Sequence, residues 1–325
     1  MARFQVRREM FGPHDLVCLR DTVTEASAGV AAHGATLIYY KVPWKGEIVN
    51  VAPGFETPEA MLDGAGGKAI LMAPWSNRIP DGVYEWDGET HRLPVNHPAT
   101  QSAIHGLLRH ETCSISQENE RGDAAEVVFR TRALRAGAFA GYPFDVDVEV
   151  TCSLRESGFA MEVTARNVGE RDAPFACGWH PYFRAPGRKR IDDLVLTVPS
   201  ASAIAVNERL IPLDGVAAYA SAAERNLDFR AGDRVGDRVI DAALAELTPD
   251  GDGLRRTRLA DPESGFALTV WQERGLMHVF TGDRSALALE PVECMTNAYN
   301  RPECADALRL APGAAKSFRF GVAVG

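Results

Sequence analysis

Residues 144–167 read FDVDVEVTCSLRESGFAMEVTARN, and this stretch decides the fold class. From Phe144 to Val150 every second residue is apolar, and the residues between them are Asp or Glu. The alternation returns at Phe159, after the polar residues 155–158. A period of two is typical of a strand with one buried and one wet face, so the stretch predicts an antiparallel hairpin.

The same alternation recurs through the rest of the chain. It is found at residues 83–93, 126–132, 194–198, 256–273 and 317–324. Short helical turns are predicted only at residues 57–62 and 241–247, which are too brief to form a layer, and residues 64–67 are predicted as a loop. No repeat or low-complexity linker interrupts the sequence. We therefore predict an all-β fold with few short helices, one large antiparallel β-sandwich domain over residues 1–325.

The bulk composition excludes several classes of protein. The chain has 325 residues, 46% of them hydrophobic, a net charge of -9 and a pI of about 5.5. A nucleic-acid partner would need a basic face, which this charge does not favour. No apolar run approaches the roughly 20 residues that cross a bilayer, and the amino terminus lacks the apolar core of a signal peptide. We expect a cytoplasmic protein without a membrane partner.

The six cysteines are scattered along the chain. No two have the spacing of two to four residues that is typical of zinc ligands. Several lie in apolar or alternating stretches and are interpreted as small core residues. The sequence therefore predicts no disulfide, no structural metal and no metal cofactor.

A histidine in an apolar run is the first candidate for chemistry. Residues 173–184 read APFACGWHPYFR, which places His180 after an apolar run and before Pro181. A histidine between aromatic residues can be tuned as a proton donor or acceptor near neutral pH. The alternative is a hydrogen-bonded structural histidine, since buried polar groups are usually satisfied and inert.

Three further polar clusters carry candidate residues. Arg78 follows a Trp-Ser-Asn turn, where its donors could hold paired oxygens, although a surface cation with a buried stem fits equally well. His105 precedes Gly106 in a turn from which a ring can project. Glu290 ends the apolar run 286–289, and a buried carboxylate there is either paired, for example with an arginine, or catalytic. Glu293 is a competing candidate.

These residues suggest proton transfer on a sugar. The chain shows no serine nucleophile motif, no phosphate-binding glycine loop and no metal triad. A carboxylate base, an imidazole acid and further donors suit a polyhydroxyl ligand. Three aromatic residues could pack on a sugar ring, although core packing is their commoner role: Trp75, Trp179 and Tyr182.

An ordered set of motifs resembles the aldose 1-epimerases, the galactose mutarotase-like proteins. The resemblance extends from about residue 20 to the carboxyl end. It is carried by Asn77-Arg78-Ile79 with a following Tyr-Glu-Trp-Asp-Gly hairpin, His105-Gly106, Trp179-His180-Pro181-Tyr182-Phe183, and Glu290-Pro291 before Thr296-Asn297-Ala298-Tyr299-Asn300.

The resemblance implies a large β-sandwich of the galactose mutarotase type with a sugar cleft on one sheet. It assigns Glu290 as the general base and His180 as the general acid. Arg78 and His105 become the hydroxyl-binding donors. A substrate-binding aspartate is also expected, for which Asp241 is the best match and Asp237 or Asp228 are alternatives.

Two departures from the best-studied branch bear on the sugar. This chain has Gly-Trp-His-Pro-Tyr-Phe where that branch has an Asn-His-Thr-Tyr-Phe type segment, and Leu107 where a second glycine follows His-Gly. A hexose-6-phosphate branch is expected to show extra basic residues and a Gly-Gly-Ile-Pro entry, which this chain lacks. We therefore expect an unphosphorylated aldose.

The leading hypothesis is a cofactor-independent mutarotase of a free aldose, a monomer or a homodimer with a small-molecule aldose as its ligand. The alternatives are a sugar-binding or regulatory module without turnover, and a mutarotase of a phosphorylated or otherwise modified sugar. A glycosidase or lyase is a further alternative, but a typical hydrolase needs two carboxylates, and the sequence assigns only one.

Overall fold

The computed structural model describes residues 2–282 and 284–325. Strands are the main regular structure of this part of the chain, and every pairing between its named strands is antiparallel. The all-β prediction is therefore confirmed.

The elements are numbered in chain order. The strands of the first half are β1 (Phe4–Phe11), β2 (His14–Asp21), β3 (Ser27–Ala31), β4 (Thr36–Trp44), β5 (Glu47–Asn50), β6 (Leu71–Met72), β7 (Arg78–Pro80), β8 (Val83–Trp86), β9 (Glu89–Arg92), β10 (Ser102–Ile104), β11 (Ser114–Glu120), β12 (Ala124–Leu134), β13 (Val146–Arg155) and β14 (Gly158–Asn167). The strands of the second half are β15 (Ala173–Pro174), β16 (Gly178–Trp179), β17 (Tyr182–Phe183), β18 (Val195–Thr197), β19 (Ser202–Ile204), β20 (Tyr219–Ser221), β21 (Asp233–Arg234), β22 (Asp241–Ala245), β23 (Arg255–Ala260), β24 (Ala267–Gln272), β25 (Leu276–Phe280), β26 (Leu287–Val292), β27 (Arg309–Leu310) and β28 (Ala315–Val324).

The helices of the described residues are short. The α-helices are α1 (Pro58–Asp63) and α2 (Ala305–Leu308). The 3₁₀ helices are Ala65–Gly67, Pro98–Thr100, Leu108–His110, Gly215–Ala218, Ala298–Asn300 and Pro302–Cys304. No helix in residues 2–282 and 284–325 has the length and apolar character needed to cross a membrane.

Three large sheets form the body of the fold. The first has the strand order β1-β2-β3-β4-β5, and the second has nine strands in the order β11-β12-β13-β14-β28-β24-β23-β18-β21. The third has the order β20-β19-β22-β25-β26-β16-β6, with β17 also pairing with β26. Two-stranded pairs complete the pattern: β7 with β10, β8 with β9, and β15 with β27.

The sheets bury their apolar faces against one another. Trp179 of the third sheet stacks on Phe320 of the second, with ring centroids 5.6 Å apart. Tyr40 of the first sheet contacts Phe159 of the second. One core cluster includes residues from both ends of the chain, such as Phe4 and Val322, which supports the proposal of a single domain.

The predicted hairpins are present. β13 and β14 pair from Val146 opposite Asn167 to Arg155 opposite Gly158, and side chains on β13 alternate between buried and half-buried as their sequence indicates. β8 and β9 form the predicted hairpin around Asp87 and Gly88, which both adopt positive φ, as a tight two-residue hairpin turn of type I′ requires.

The helical prediction at residues 57–62 is confirmed by α1, whose amino end is capped by Thr57. The prediction at residues 241–247 is wrong, because residues 241–245 form the strand β22. Ala and Leu favour a helix locally, but β22 pairs with β19 on one side and β25 on the other, and this pairing overrides local propensity. Residues 64–67, predicted as a loop, form the left-handed cap of α1 and a 3₁₀ turn.

The cysteines are all buried and carry free thiols. Burial raises the pKa of the Cys152 and Cys177 thiols, which suits a core role better than a reactive one.

Candidate active site

A polar cavity of about 340 Å³ lies over the neighbouring strands β22, β25 and β26. Its wall includes side chains from widely separated parts of the sequence. Those with hydrogen-bonding groups are Asp63, Asn77, Arg78, Asn96, His97, His105, Arg109, His180, Asp241, His278 and Glu290. The five residues that the sequence singled out, Arg78, His105, His180, Asp241 and Glu290, are thus brought together in one place.

Glu290 lies in the middle of β26, all of whose residues are buried. Its side chain is 1% exposed, and neither carboxylate oxygen has a hydrogen-bond partner within the protein. The nearest charged or chargeable group is the Nε2 atom of His180, 3.3 Å from Oε1. No arginine among the described residues pairs with Glu290. The alternative of a structural salt bridge between Glu290 and an arginine is therefore wrong.

Glu293 has a different setting. Its Oε1 atom accepts a hydrogen bond of 2.7 Å from Arg274 and lies 3.4 Å from Lys316. Its Oε2 atom accepts from the backbone N–H of Cys177 at 3.2 Å. These contacts make Glu293 a structural carboxylate, and it does not line the cavity, whereas Glu290 does.

His180 is delivered by the chain directly after β16. Its backbone is fixed by hydrogen bonds with Ala69 and Ile70. Its ring stacks on Tyr182 and meets the ring of His105 edge-on, with centroids 5.2 and 5.3 Å apart. Burial lowers the pKa of His180, while the charge of Glu290 opposes this effect. Its Nδ1 atom is buried without a hydrogen-bond partner.

His105 owes its position to an unusual turn. His105 and Gly106 both adopt positive φ, of 64° and 71°. A Cβ atom on Gly106 would lie 2.1 Å from the carbonyl oxygen of Ala73, so only glycine fits there. The backbone N–H of His105 donates to the carbonyl of Asn77, which ties this turn to the neighbouring Arg78. Burial, reinforced by the charge of His180, holds the pKa of His105 well below its usual range.

A connected group of charges lies beside Glu290. Asp241 Oδ1 is 2.8 Å from His278 Nε2, and its Oδ2 atom accepts a hydrogen bond of 3.4 Å from Arg78 Nη2. Burial alone would raise the pKa of Asp241, but the hydrogen bond from His278 and the two positive charges lower it to about 2. Arg78 is held on its other side by Asn77 Oδ1, at 2.7 Å.

The pKa of His278 is shifted in the opposite direction from that of His180. Burial lowers the pKa of His278, but the charge of Glu290 and the hydrogen bond to Asp241 outweigh burial and raise it. The cavity wall therefore contains carboxylates, histidines biased toward the neutral form and one histidine, His278, biased toward the imidazolium. A group with this composition can move protons at a polar ligand.

The sequence of the chain also matches a known protein family. The family model described as aldose 1-epimerase matches residues 15–322. The chain belongs to the aldose 1-epimerase family.

Individual relatives are distant. The protein YihR of Escherichia coli K12, whose function is described as uncharacterized, is 27% identical over 283 residues, which cover 86% of this chain and 82% of YihR. An aldose 1-epimerase of the same organism is 24% identical over 64% of this chain and 58% of its own length.

Solved structures share the fold of this aldose 1-epimerase family member. A galactose mutarotase-like protein from Clostridium acetobutylicum has a TM-score of 0.84 at 15% identity, with 99% of each chain covered. Galactose 1-epimerase from Lactobacillus acidophilus has a TM-score of 0.81 at 16% identity, with 100% of this chain and 99% of that chain covered. The galactose mutarotase type of sandwich is therefore confirmed.

Other motif residues of this family member build the scaffold of the site. Asn297, at positive φ, donates its backbone N–H to the carbonyl of Arg78. The hydroxyl oxygen of Tyr299 lies 2.8 Å from the carbonyl oxygens of both Pro74 and Pro174, which share its single proton. Trp75 and Trp179 are buried in the core and do not line the cavity.

The alternative aspartates do not contribute to the cavity. Asp237 is exposed, and Asp228 forms an ion pair with Arg230 at 2.8 Å. Neither is part of the cavity wall, whereas Asp241 is. This placement supports Asp241 over the other two as the sugar-binding aspartate.

The sequence reasoning missed several residues of the site. His278 is the most important, because it contacts Asp241 and lies opposite Glu290. Its signal was a histidine in the otherwise apolar run LMHVF of β25. Asn77, Asn96, His97 and Arg109 also line the cavity, and all four lie near motifs that the sequence did single out.

Proposed function

We propose that this family member is a mutarotase that interconverts the α and β anomers of a free aldose. One observation carries the proposal. The carboxylate of Glu290, buried and without a hydrogen bond, lies 3.3 Å from an imidazole nitrogen of His180 in a cavity rich in hydrogen-bonding side chains. Membership of the aldose 1-epimerase family supports the same reaction.

The reaction proceeds through two proton transfers. Glu290 takes the proton of the anomeric hydroxyl, and protonated His180 donates a proton to the ring oxygen. The bond between C1 and the ring oxygen breaks, which gives the open-chain aldehyde. Rotation about the C1–C2 bond turns the other face of the aldehyde toward the hydroxyl, and reversal of both transfers closes the ring as the opposite anomer. The reaction needs no cofactor.

The remaining polar residues hold the sugar. Arg78 and His105 are the proposed donors to hydroxyl groups, and the carboxylate of Asp241 is the proposed acceptor. Asp241 and Arg78 contact each other, so they meet a ligand as a pre-arranged pair. Preformed donors and acceptors lower the cost of orienting a ligand. The cytoplasmic location and the monomeric or homodimeric state stay predictions from the sequence.

Polarimetry on freshly dissolved sugars tests the substrate class. The panel contains α-D-glucose, α-D-galactose, other free aldoses, a hexose 6-phosphate and a methyl glycoside. We expect faster mutarotation of at least one free aldose and no cleavage of the glycoside. Acceleration of the phosphorylated sugar alone would contradict the free-aldose assignment. Calorimetric binding of a sugar without any acceleration would favour a binding module.

A further inference from the structure

The buried carboxylate of Glu290 needs a positive charge nearby to stay ionised. The groups proposed to bind the sugar do not account for that charge. The carboxylate of Glu290 is buried and makes no hydrogen bond within the protein. An isolated buried carboxylate is costly and tends to take up a proton, which would abolish its use as a base. His180 lies nearby, but burial biases it toward the neutral form.

We propose that His278 is a positioning residue for the base: held as an imidazolium by Asp241, it supplies the positive charge that keeps Glu290 ionised. This inference rests on the proposed mutarotase function, in which Glu290 acts as the base. His278 itself transfers no proton to or from the sugar in this account.

The sheet register places His278 between two carboxylates. On β26 the residue directly opposite His278 is Glu290. Side chains of directly opposite residues share one face of a sheet, with Cβ atoms about 4.5–5.5 Å apart. On the other side, β22 contributes Asp241, two residues from the one paired with His278, and its Oδ1 atom reaches His278 Nε2 at 2.8 Å. Diagonal neighbours of this kind remain within reach of long side chains.

The Asp241 contact also orients the ring. A carboxylate bound to one nitrogen of an imidazole fixes the ring and favours its protonated form. Asp241 is in turn held by Arg78, at 3.4 Å. His180 is held less firmly, because its Nε2 atom lies 3.3 Å from Glu290 without a hydrogen bond and its Nδ1 atom has no hydrogen-bond partner.

The charge balance of the site agrees with an imidazolium at His278. Two carboxylates, Asp241 and Glu290, and one guanidinium, that of Arg78, act on His278. Asp63 and Arg109 add one further charge of each sign to the cavity wall. A protonated His278 completes two pairs of opposite charge, whereas a neutral His278 leaves one carboxylate uncompensated. The titratable and charged groups that face His278 from the surrounding elements are Asp241, Glu290, Arg78, His180 and His105. Their combined effect raises the pKa of His278 in spite of burial.

Two variants separate a charge effect from a packing effect. His278→Gln keeps a hydrogen-bond donor for Asp241 but cannot carry a charge, and His278→Lys restores a charge. The kcat/KM for the best aldose is measured from pH 4 to 9 for wild type and both variants, with thermal unfolding as a check on folding. An opposite charge within about 4–6 Å typically shifts the pKa of a carboxyl group by about 1–3 units, so loss of the His278 charge should be measurable.

In His278→Gln we expect both limbs of the pH profile to move to higher pH. Glu290 loses the cation that favours its ionised form, and His180 loses the neighbouring charge that lowers its pKa. In His278→Lys both limbs should stay close to those of the wild type. If His278→Gln has reduced activity but both limbs of its pH profile stay at the wild-type positions, the proposal is overturned. Such a result would show that the role of His278 is purely structural.

A second measurement does not depend on activity. Imidazole ¹⁵N resonances of the full chain are followed by NMR across the same pH range. We expect the His278 resonance to report an imidazolium at pH 7. A neutral His278 at pH 7 would overturn the proposal even if the variants fail to fold. If the wild type accelerates no aldose, the proposed function fails, while the NMR titration still decides the charge of His278.

Discussion

The Nε2 atom of His180 lies 3.3 Å from the Oε1 atom of Glu290, and no hydrogen bond within the protein holds either oxygen of that carboxylate. Burial keeps the imidazole biased toward its neutral form. The two groups are thus close enough to exchange protons with the anomeric hydroxyl and the ring oxygen of one sugar. The rate then depends on the pH at which His180 is protonated.

The pH profile of kcat/KM should therefore decline on its basic side. His180 must be protonated to act as the acid, and its pKa lies below the usual 6.5. As the pH rises through that lowered value, His180 loses its proton and the rate falls, so the midpoint of the basic limb is expected below 6.5. A basic midpoint above 6.5 would point instead to a histidine with a raised pKa, His278, as the acid.

Asp241→Asn should weaken sugar binding. Asparagine has almost the same shape but lacks the negative charge, and a hydrogen bond to a charged group contributes about 1.5–3 kcal/mol. We expect KM to rise about 10- to 100-fold. The matched control is Asp237→Asn, which changes an exposed aspartate outside the cavity. Equal KM values for the two variants would remove Asp241 from the binding site.

Much of the fold could be predicted because alternation depends on local sequence. In β13 the buried valines and half-buried carboxylates follow their order in the chain, and the turn at Asp87-Gly88 supplies the positive φ that it needs. Residues 241–247 escaped this reasoning because strand pairing with β19 and β25 overrides the helical preference of Ala and Leu.

The site was predictable in its parts but not in its charge balance. Arg78, His105, His180 and Glu290 were found because each lies beside a turn or at the end of an apolar run. The role of His278 depends on the register that sets it opposite Glu290. Pairing between strands of this kind is not visible in a single sequence. The same limit left open whether Glu290 is paired, for example with an arginine, or catalytic.

Gly106→Ala should destabilise the protein strongly. A residue with a side chain at positive φ costs about 1–2 kcal/mol, and the added Cβ would also lie 2.1 Å from the carbonyl oxygen of Ala73. Gly88→Ala is the control, because Gly88 has a positive φ of 81° but no atom within 4 Å of its added Cβ. Chemical unfolding should show the larger loss for Gly106→Ala; equal losses would show that the close approach to Ala73 relaxes at no cost.

Asp261→Asn should reduce stability at neutral pH. The buried Asp261 carboxylate accepts hydrogen bonds of 2.9 and 2.7 Å from Arg188, which lower its pKa to about 2. Its contribution is therefore present above about pH 4, the ordinary range of a free aspartate, and is lost as the pH falls through about 2. The expected loss in the variant at pH 7 is about 2 kcal/mol.

The control for that measurement is Asp123→Asn, which breaks an exposed ion pair with Arg155 and should cost about 1 kcal/mol or less. Urea unfolding at pH 7 and at pH 2.5 compares the variants with the parent. The difference between Asp261→Asn and the parent should shrink at the lower pH. A difference that does not change with pH would contradict a contribution from the ionised carboxylate.

The most direct test of the account is the catalysed rate of mutarotation in Glu290→Gln, measured by polarimetry on the aldose that the wild type accelerates best. Glutamine keeps the size of the side chain but cannot take the anomeric proton. Loss of a positioned general base typically lowers a rate by about 10²- to 10⁴-fold, and we expect a loss in this range with the thermal unfolding temperature not lowered. A folded Glu290→Gln protein that retains the wild-type rate would contradict the account.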